Sequence, residues 1–597
     1  MAHSHEEHHH EEEEKLRFFS SPLKHEPASL PRHESKISDE ENRKDGPHTT
    51  NNEIPWNRDG QLHESPEFHR HEAAQSIELF YDLFFVANLT TFTANHNINT
   101  VRTLSSYVGF FCILWFTWYQ STLYDVRFAV DNVVERVFKL VNFGVMMGLA
   151  AVGSGFDPDD TANKWKTFRE LTLILMVSRL TLVAQYSFTL FWTRKYRQIV
   201  LPLLMVIAMS FIASMVYLGL YFAFQEGKDT NAYVAWYIVA VLETVLTTCV
   251  SMKWRVISFK GTHIQERLSL LTLIILGEGI ILLCKSISYI IKGSWVFTSD
   301  TIGSIIAALL IIYGLYQVYF DRVVEHHFGT IRQQIWSFAH FPMHIALVLA
   351  LEGTRQFVIW RQAIPMVDTV YANVFQWDFT VPQAPEVFES AITTIWDYAV
   401  YSFSFVKDAD ISSTNQTVYD SLATIANLTN TADLACNEDF TVCTDDVYTI
   451  DGALFDIFVA ITKFEFDLLG IKAPKPKGDK KPTQSDVITS YSAIFDMIFT
   501  YFFITAGLTL ILIGMLHWIA TPPKKLGDYL RGGSNFVIGL GLCLLSTMSL
   551  ARSPDTYGSV DKYQYGSWVL STFVFALFAN VVLNHVRRPA FMTKTHN

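Results

Sequence analysis

Charge is scarce in this chain. Only 17% of its 597 residues are Asp, Glu, Lys or Arg, against roughly 25% in soluble domains. Cysteine is rarer still, at six, which excludes a small disulfide scaffold. The apolar segments contain no HExxH, GxSxG or DDxxD-type motif. The usual signatures of metallohydrolases, serine hydrolases and prenyl-diphosphate enzymes are thus missing from them, and neither enzymatic activity nor a cofactor is expected. The formal net charge of −12 is unevenly spread, much of it in the first 75 residues and between about 365 and 470, so it says little about partners; no nucleic-acid partner is expected. The opening MAHSHEEHHHEEEE lacks the apolar core of a cleavable signal peptide, so the first apolar span is expected to target the chain itself.

What the chain has is apolar length. Half its residues are hydrophobic, and 46 are Phe. Twelve runs reach the length of a membrane-crossing helix: 77–96, 104–124, 135–153, 168–192, 199–224, 231–250, 268–290, 301–320, 334–356, 491–519, 533–551 and 564–586. They are too long for barrel strands, and backbone groups in lipid must bond internally, so they are read as helices. The expected fold is an all-α polytopic membrane protein with about twelve transmembrane helices, whose obligatory partner is the lipid bilayer.

Lys and Arg in the short loops favour both termini in the cytosol. The inner set includes Arg127, Arg136, Lys139, Arg194, Lys195, Arg197, Lys253, Arg255, Lys260, Arg322 and Arg332, and outnumbers the outer set about twofold. The expected organisation is a disordered acidic, His-rich tail over 1–72, helices one to nine over 73–361, an extracytosolic insertion over 362–490, helices ten to twelve over 491–587 and a tail over 588–597. The tail's His3, His5, His8, His9 and His10 read either as a solvated acidic segment or as a Zn²⁺ or Ni²⁺ binder. The insertion carries two glycosylation sequons, at Asn415 and Asn427, and the close pair Cys436 and Cys443, which reads as a disulfide. Its stretches Phe388–Phe405 and Leu454–Leu469 are amphipathic and are expected on the membrane surface.

Several residues have no packing reason to lie in lipid. In Glu266–Lys285, an apolar helix carries Glu278 at its middle, at a cost of about 3 kcal/mol or more. Arg267, Glu278 and Lys285 fall near one face, Glu278 about 16 Å along the axis from Arg267 and about 10 Å from Lys285. In the first span Glu78 and Asp82 sit four apart on one face. Two such carboxylates cannot both ionise cheaply when dry, so either one is protonated or a cation sits between them. The alternative leaves Glu78 solvated at the inner interface. Arg179, mid-helix in the fourth span, needs acidic partners, and Asp82 and Glu278 are the natural ones. Glu243 is a further interior carboxylate. His340 and His344 share a face, a spacing that suits a proton relay, a metal or plain packing. Glu352 and Arg355 are expected to pair with each other.

These motifs resemble one family. The ELFYDLFFV run at Glu78–Val86, the Glu266-Arg267 to Gly277-Glu278 segment, Arg179, and the YFDR sequence at Tyr319–Arg322 before a His-bearing span are similar to the bacterial low-temperature-requirement A (LtrA) family. The resemblance covers roughly 70–360 and, more faintly, 490–590. It implies a polytopic membrane protein linked to growth in the cold, with no substrate or mechanism attached. The tail and the 362–490 insertion depart from the bacterial pattern and look like the elaboration of a eukaryotic, fungal-like member.

Three functions fit these residues. The first is a secondary transporter or ion pathway, in which Glu78, Asp82, Arg179, Glu243, Glu278, Lys285, His340 and His344 bind a small ion or substrate and a carboxylate carries a proton or cation. The second is a sensor or scaffold with structural ion pairs. The third is an intramembrane lipid-modifying enzyme. The plasma membrane or a secretory or vacuolar membrane is the expected location, and a homo-oligomer remains open.

Overall fold

The structure, a computed structural model, describes residues 18–22, 68, 74–96, 98–158, 164–226, 231–258, 262–292, 298–321, 330–377, 385–404, 411–428, 443–472, 484–521, 526–551 and 558–585. The His cluster of the tail, Arg322 and Cys436 lie outside them.

The described residues form helices and no extended strand. In chain order these are α1 (Ser76–Asn95), α2 (Val101–Phe128), α3 (Val133–Gly153), α4 (Lys164–Thr193), α5 (Arg197–Ala223), α6 (Val234–Lys253), α7 (Ile264–Lys292), α8 (Ser299–Phe320), α9 (Thr330–Val374), α10 (Pro385–Ser404), α11 (Ser412–Leu428), α12 (Asp445–Leu468), α13 (Gln484–Ala520), α14 (Leu526–Leu545), α15 (Ser559–Gln564) and α16 (Trp568–His585). Ten of them are long and apolar enough to cross a membrane: α3 to α9, α13, α14 and α16. The all-helical membrane fold is therefore present.

The first two expected spans form helices but fall outside that set. Every residue of α2 from Gly109 to Phe128 is buried, including Gln120, Asp125 and Arg127. A helix enclosed by protein on all sides needs no lipid-like surface. In α1 the polar Glu78, Asp82 and Asn88 are buried as well.

The chain divides into two compact units. The first draws on Met1–Phe92, Gly109–Leu268 and His327–Ser337. In it α3 packs on α4, α4 on α5 and α5 on α6. Two of its helices, α3 and α5, turn polar side chains inward and apolar ones outward. On α3 the buried face carries Glu135, Lys139 and Asn142, while Val137, Leu140, Val141 and Met147 are exposed. On α5 Ser210, Ser214 and Tyr217 point inward, and Phe211, Ile212 and Met215 outward. Exposed aliphatic faces of this kind suit hydrocarbon.

The second unit draws on Thr93–Val108, Ser269–His326 and Phe338–Asn597. Here α13 packs on α14, α8 on α16 and α14 on α16. Two of its helices outrun any bilayer. α9 has 45 residues, about 68 Å, and α13 has 37, about 55 Å. The C-terminal end of α9 contributes Val370 and Val374 to a core built with Ile395 and Phe403 of α10, Leu422 and Ile425 of α11, and Leu454 and Ile457 of α12. The amphipathic stretches of the insertion were expected to lie on the membrane. Their apolar faces instead cover one another, because three helices and the end of α9 together can enclose a core that a single helix cannot. Within this insertion Cys443 is disulfide-bonded, Asn427 is exposed and Asn415 is half-buried.

Candidate functional site

The first unit holds a set of buried charged side chains. α1 places Glu78 and Asp82 one turn apart, and α7 begins with His263 just ahead of it and Arg267 one turn further. Arg267 donates twice to Asp82, through Nη2 at 2.7 Å and Nε at 3.2 Å. Its Nη1 lies 3.4 Å from Glu78. The Trp118 Nε1–H donates to Asp82 at 2.7 Å, and the indole ring lies 5.8 Å from the guanidinium. His263 Nε2 shares a 2.8 Å hydrogen bond with Glu78. Two like charges this close need a proton or a cation between them if both are buried, and Arg267 supplies the positive charge. A planar fork reaches two acids that a point charge could not serve together. Glu78, at 3% exposure, is not solvated.

Two further pairs are closed. Arg179 on α4 donates to Glu243 on α6 at 2.7 Å, and the Ser210 hydroxyl donates to the same carboxylate at 3.1 Å. The expected partners of Arg179 were Asp82 and Glu278; Glu243 takes that place, while Asp82 is held by Arg267. Lys139 on α3 pairs with Asp125 on α2, both buried. The loop tally placed Lys139 and Arg127 in water. Both are interior side chains at 4% exposure. Arg127 is held by the Leu123 and Ile257 carbonyls and the hydroxyls of Ser251 and Tyr186. Of the three basic residues expected in that loop, Arg136 alone is exposed, bridged to Asp131.

Glu135 is different. It lies in the first turn of α3, its backbone N–H capped by Asn132, and its side chain is buried. Its carboxylate accepts from the Tyr124 hydroxyl at 2.7 Å and from the Gln185 amide at 3.5 Å. Among the described residues it has no ion-pair partner. The Tyr124 ring packs edge-to-face on that of Tyr186, 5.0 Å between centroids, and Tyr186 in turn bonds Arg127. Glu135 and Arg127, neither in a close ion pair among the described residues, are thus each held by neutral hydrogen-bonding groups, with Tyr124 and Tyr186 between them, while Lys139 acts on Glu135 through space.

In the second unit, Glu278 is buried at 2% exposure and Lys285 is half-buried. His340 and His344 are fully buried, ring centroids 5.4 Å apart. His340 Nε2 bonds the Tyr319 hydroxyl at 3.0 Å, and His344 Nε2 bonds Thr272 at 2.9 Å. The hydroxyl of Ser269 lies 3.4 Å from that of Tyr319. Arg355 donates to Glu352 at 2.6 Å, as their spacing predicts, and Gln356 joins them.

Sequence reasoning thus named Glu78, Asp82, Arg179 and Glu243, which lie in the buried set of the first unit. It missed His263, Asp125, Lys139 and Glu135. One signal was available: Glu135, Lys139 and Asn142 recur at i, i+4 and i+7, a polar stripe on an otherwise apolar helix.

No curated protein and no solved structure matches this chain. The family model described as bacterial low temperature requirement A protein (LtrA) matches residues 73–384, ending where α10 begins and containing every charged residue described in the first unit. With more than half of its length in that match, the chain belongs to the LtrA family of membrane proteins.

Proposed function

We propose that this protein is a carrier or ion pathway coupled to protons or cations, with Glu135 as its exchangeable carboxylate. The observation that carries the reading is the contrast between Glu135 and its neighbours. Asp82, Asp125 and Glu243 are clamped by permanent cations, and neutralising any of them would strand a buried base. Glu135 is held by a phenol and an amide, which tolerate both its charged and its neutral form. An intramembrane carboxylate free of such a clamp is the kind of group that proton-coupled proteins use. Glu78 with His263, and in the second unit Glu278 with the hydroxyl-linked His340 and His344, are the further groups suited to passing a proton. The clamped pairs hold the helices in register.

The test is reconstitution into liposomes with a trapped pH dye, under imposed proton and alkali-cation gradients. Glu135→Gln is expected to abolish coupled flux while eluting as folded protein. Equal flux in wild type and variant would sink the assignment of Glu135. Absence of flux in wild type under every gradient would favour a scaffold.

We also propose that the insertion faces the extracytosolic side, in a plasma or secretory membrane. The disulfide at Cys443 suits an oxidising compartment, and Asn427 is exposed for a glycan. Digestion with a glycosidase should shift the mobility of the native chain and leave Asn415→Gln/Asn427→Gln unshifted.

A further inference from the structure

The N-terminal segment returns to the first unit at two places. Phe68 is buried against Phe128, ring centroids 5.0 Å apart, in a cluster with Tyr124, Tyr186 and Ile199. Phe18–Pro22 forms the second. Pro22 is buried and Ser20 half-buried, and the Phe19 ring lies 6.2 Å from Phe188. Ser20 and Pro22 complete a narrow crevice whose other walls include Phe128, Asn132, Glu135 and Thr189. The Ser20 hydroxyl is buried there and makes no hydrogen bond among the described residues. Phe18 and Phe19 remain largely exposed, at 62% and 54%.

We propose that Phe18–Pro22 is a self-docked plug that closes access to Glu135, so that undocking of the N-terminal segment gates the pathway. The claim that it gates rests on the carrier reading; the claim that it covers Glu135 does not. Ser20 and Pro22 wall the crevice on the side opposed to α2, α3 and α4, and the Ser20 hydroxyl makes no hydrogen bond among the described residues. The exposed Phe18 and Phe19 provide apolar surface for the lipid interface, which would bias the segment toward its seat in a membrane. Phe68 tethers the chain beside the same crevice whether or not the plug is seated.

The test reads access to Glu135 directly. The full-length protein in nanodiscs is treated with a water-soluble carbodiimide and a small amine, and modification of Glu135 is followed by peptide mass spectrometry. Ser20→Trp cannot seat in the crevice and Pro22→Gly loses the buried ring; neither adds charge. Each is expected to label Glu135 about tenfold faster than wild type, equivalent to about 1.4 kcal/mol of lost docking. Ser20→Ala, which keeps the fit and removes an unused hydroxyl, is expected to label at the wild-type rate. Wild-type labelling in both Ser20→Trp and Pro22→Gly would overturn the plug, and so would Ser20→Ala opening as far as Ser20→Trp. Flux measured on the same variants separates the two readings. Opened labelling with no flux in any protein leaves the plug standing and removes the carrier.

Discussion

Arg267 Nη2 lies 2.7 Å from Asp82 Oδ1, with neither side chain exposed. The same guanidinium reaches Glu78 at 3.4 Å. One cation therefore serves two acids one helical turn apart, and removing it would leave both buried and facing each other. Arg267→Leu is expected to lower stability by about 3–5 kcal/mol, the usual result of breaking a buried pair from one side. Arg267→Leu combined with Asp82→Asn should recover a large part of that loss. Thermal unfolding of the detergent-solubilised protein gives the comparison. A double variant no more stable than Arg267→Leu would show that Asp82 is not its main partner.

Lys139 offers a sharper contrast, because the sequence places it in a loop and the fold buries it against Asp125. A loop lysine can be replaced within about 0.5 kcal/mol. Lys139→Met is instead expected to cost several kcal/mol, since it strands Asp125 in a fully buried position. Lys139→Met with Asp125→Asn should restore most of it. Near-wild-type stability in the single variant would return Lys139 to the surface.

What the sequence could show here was the presence of buried charge, not its pairing. Arg179 stands out in an apolar run, but Glu243 is 64 residues away, and only the packing of both α4 and α6 on α5 brings them together. Asp125 and Lys139 were obscured because they lie toward helix ends, where charged side chains of either sign are expected to reach water, and the positive-inside rule counted Lys139 in a loop. Glu135 was lost for the same reason. The insertion shows a different limit. Amphipathicity marks the face of a helix that will be covered, but does not say by what, so α10 and α12 read as membrane-bound when they cover each other.

The α13–α14 contact depends on two glycines. A Cβ on Gly539 would lie 2.6 Å from the Gly507 carbonyl oxygen, and one on Gly507 would meet the Gly539 carbonyl and Cys543. Backbone cannot yield as a flexible side chain can, and small residues allow close approach of membrane helices. Gly507→Ala and Gly539→Ala are each expected to destabilise the protein by about 1–3 kcal/mol through overpacking. Gly541→Ala, where a methyl group meets nothing within 4 Å, is the control and should be neutral to stabilising, by up to about 1 kcal/mol from helix propensity. Equal effects at all three positions would mean that helix propensity, not contact, governs this pair.

Glu465 makes the insertion sensitive to pH. It lies on α12, outside the ten membrane-length helices, is 6% exposed, and shares a hydrogen bond with Ser402. Burial pushes its carboxyl from the ordinary 4.5 up to about 8. The folded insertion therefore holds a proton that the unfolded chain releases. Below about pH 4.5 both states are protonated and burial carries no charge penalty. As pH rises toward 8 the unfolded chain ionises first, and folding weakens by about 1.4 kcal/mol per pH unit. Above about 8 both states are ionised and the loss levels off. Glu465→Gln removes this dependence because its amide does not titrate. Native-state proteolysis of the insertion measures the population of its open form. The ratio of wild-type to Glu465→Gln cleavage cancels the protease's own pH profile. That ratio is expected to climb with pH, by up to about tenfold per unit, and to level near 8. A ratio that stays flat from pH 5 to 8.5 would mean that Glu465 is ionised and solvated throughout.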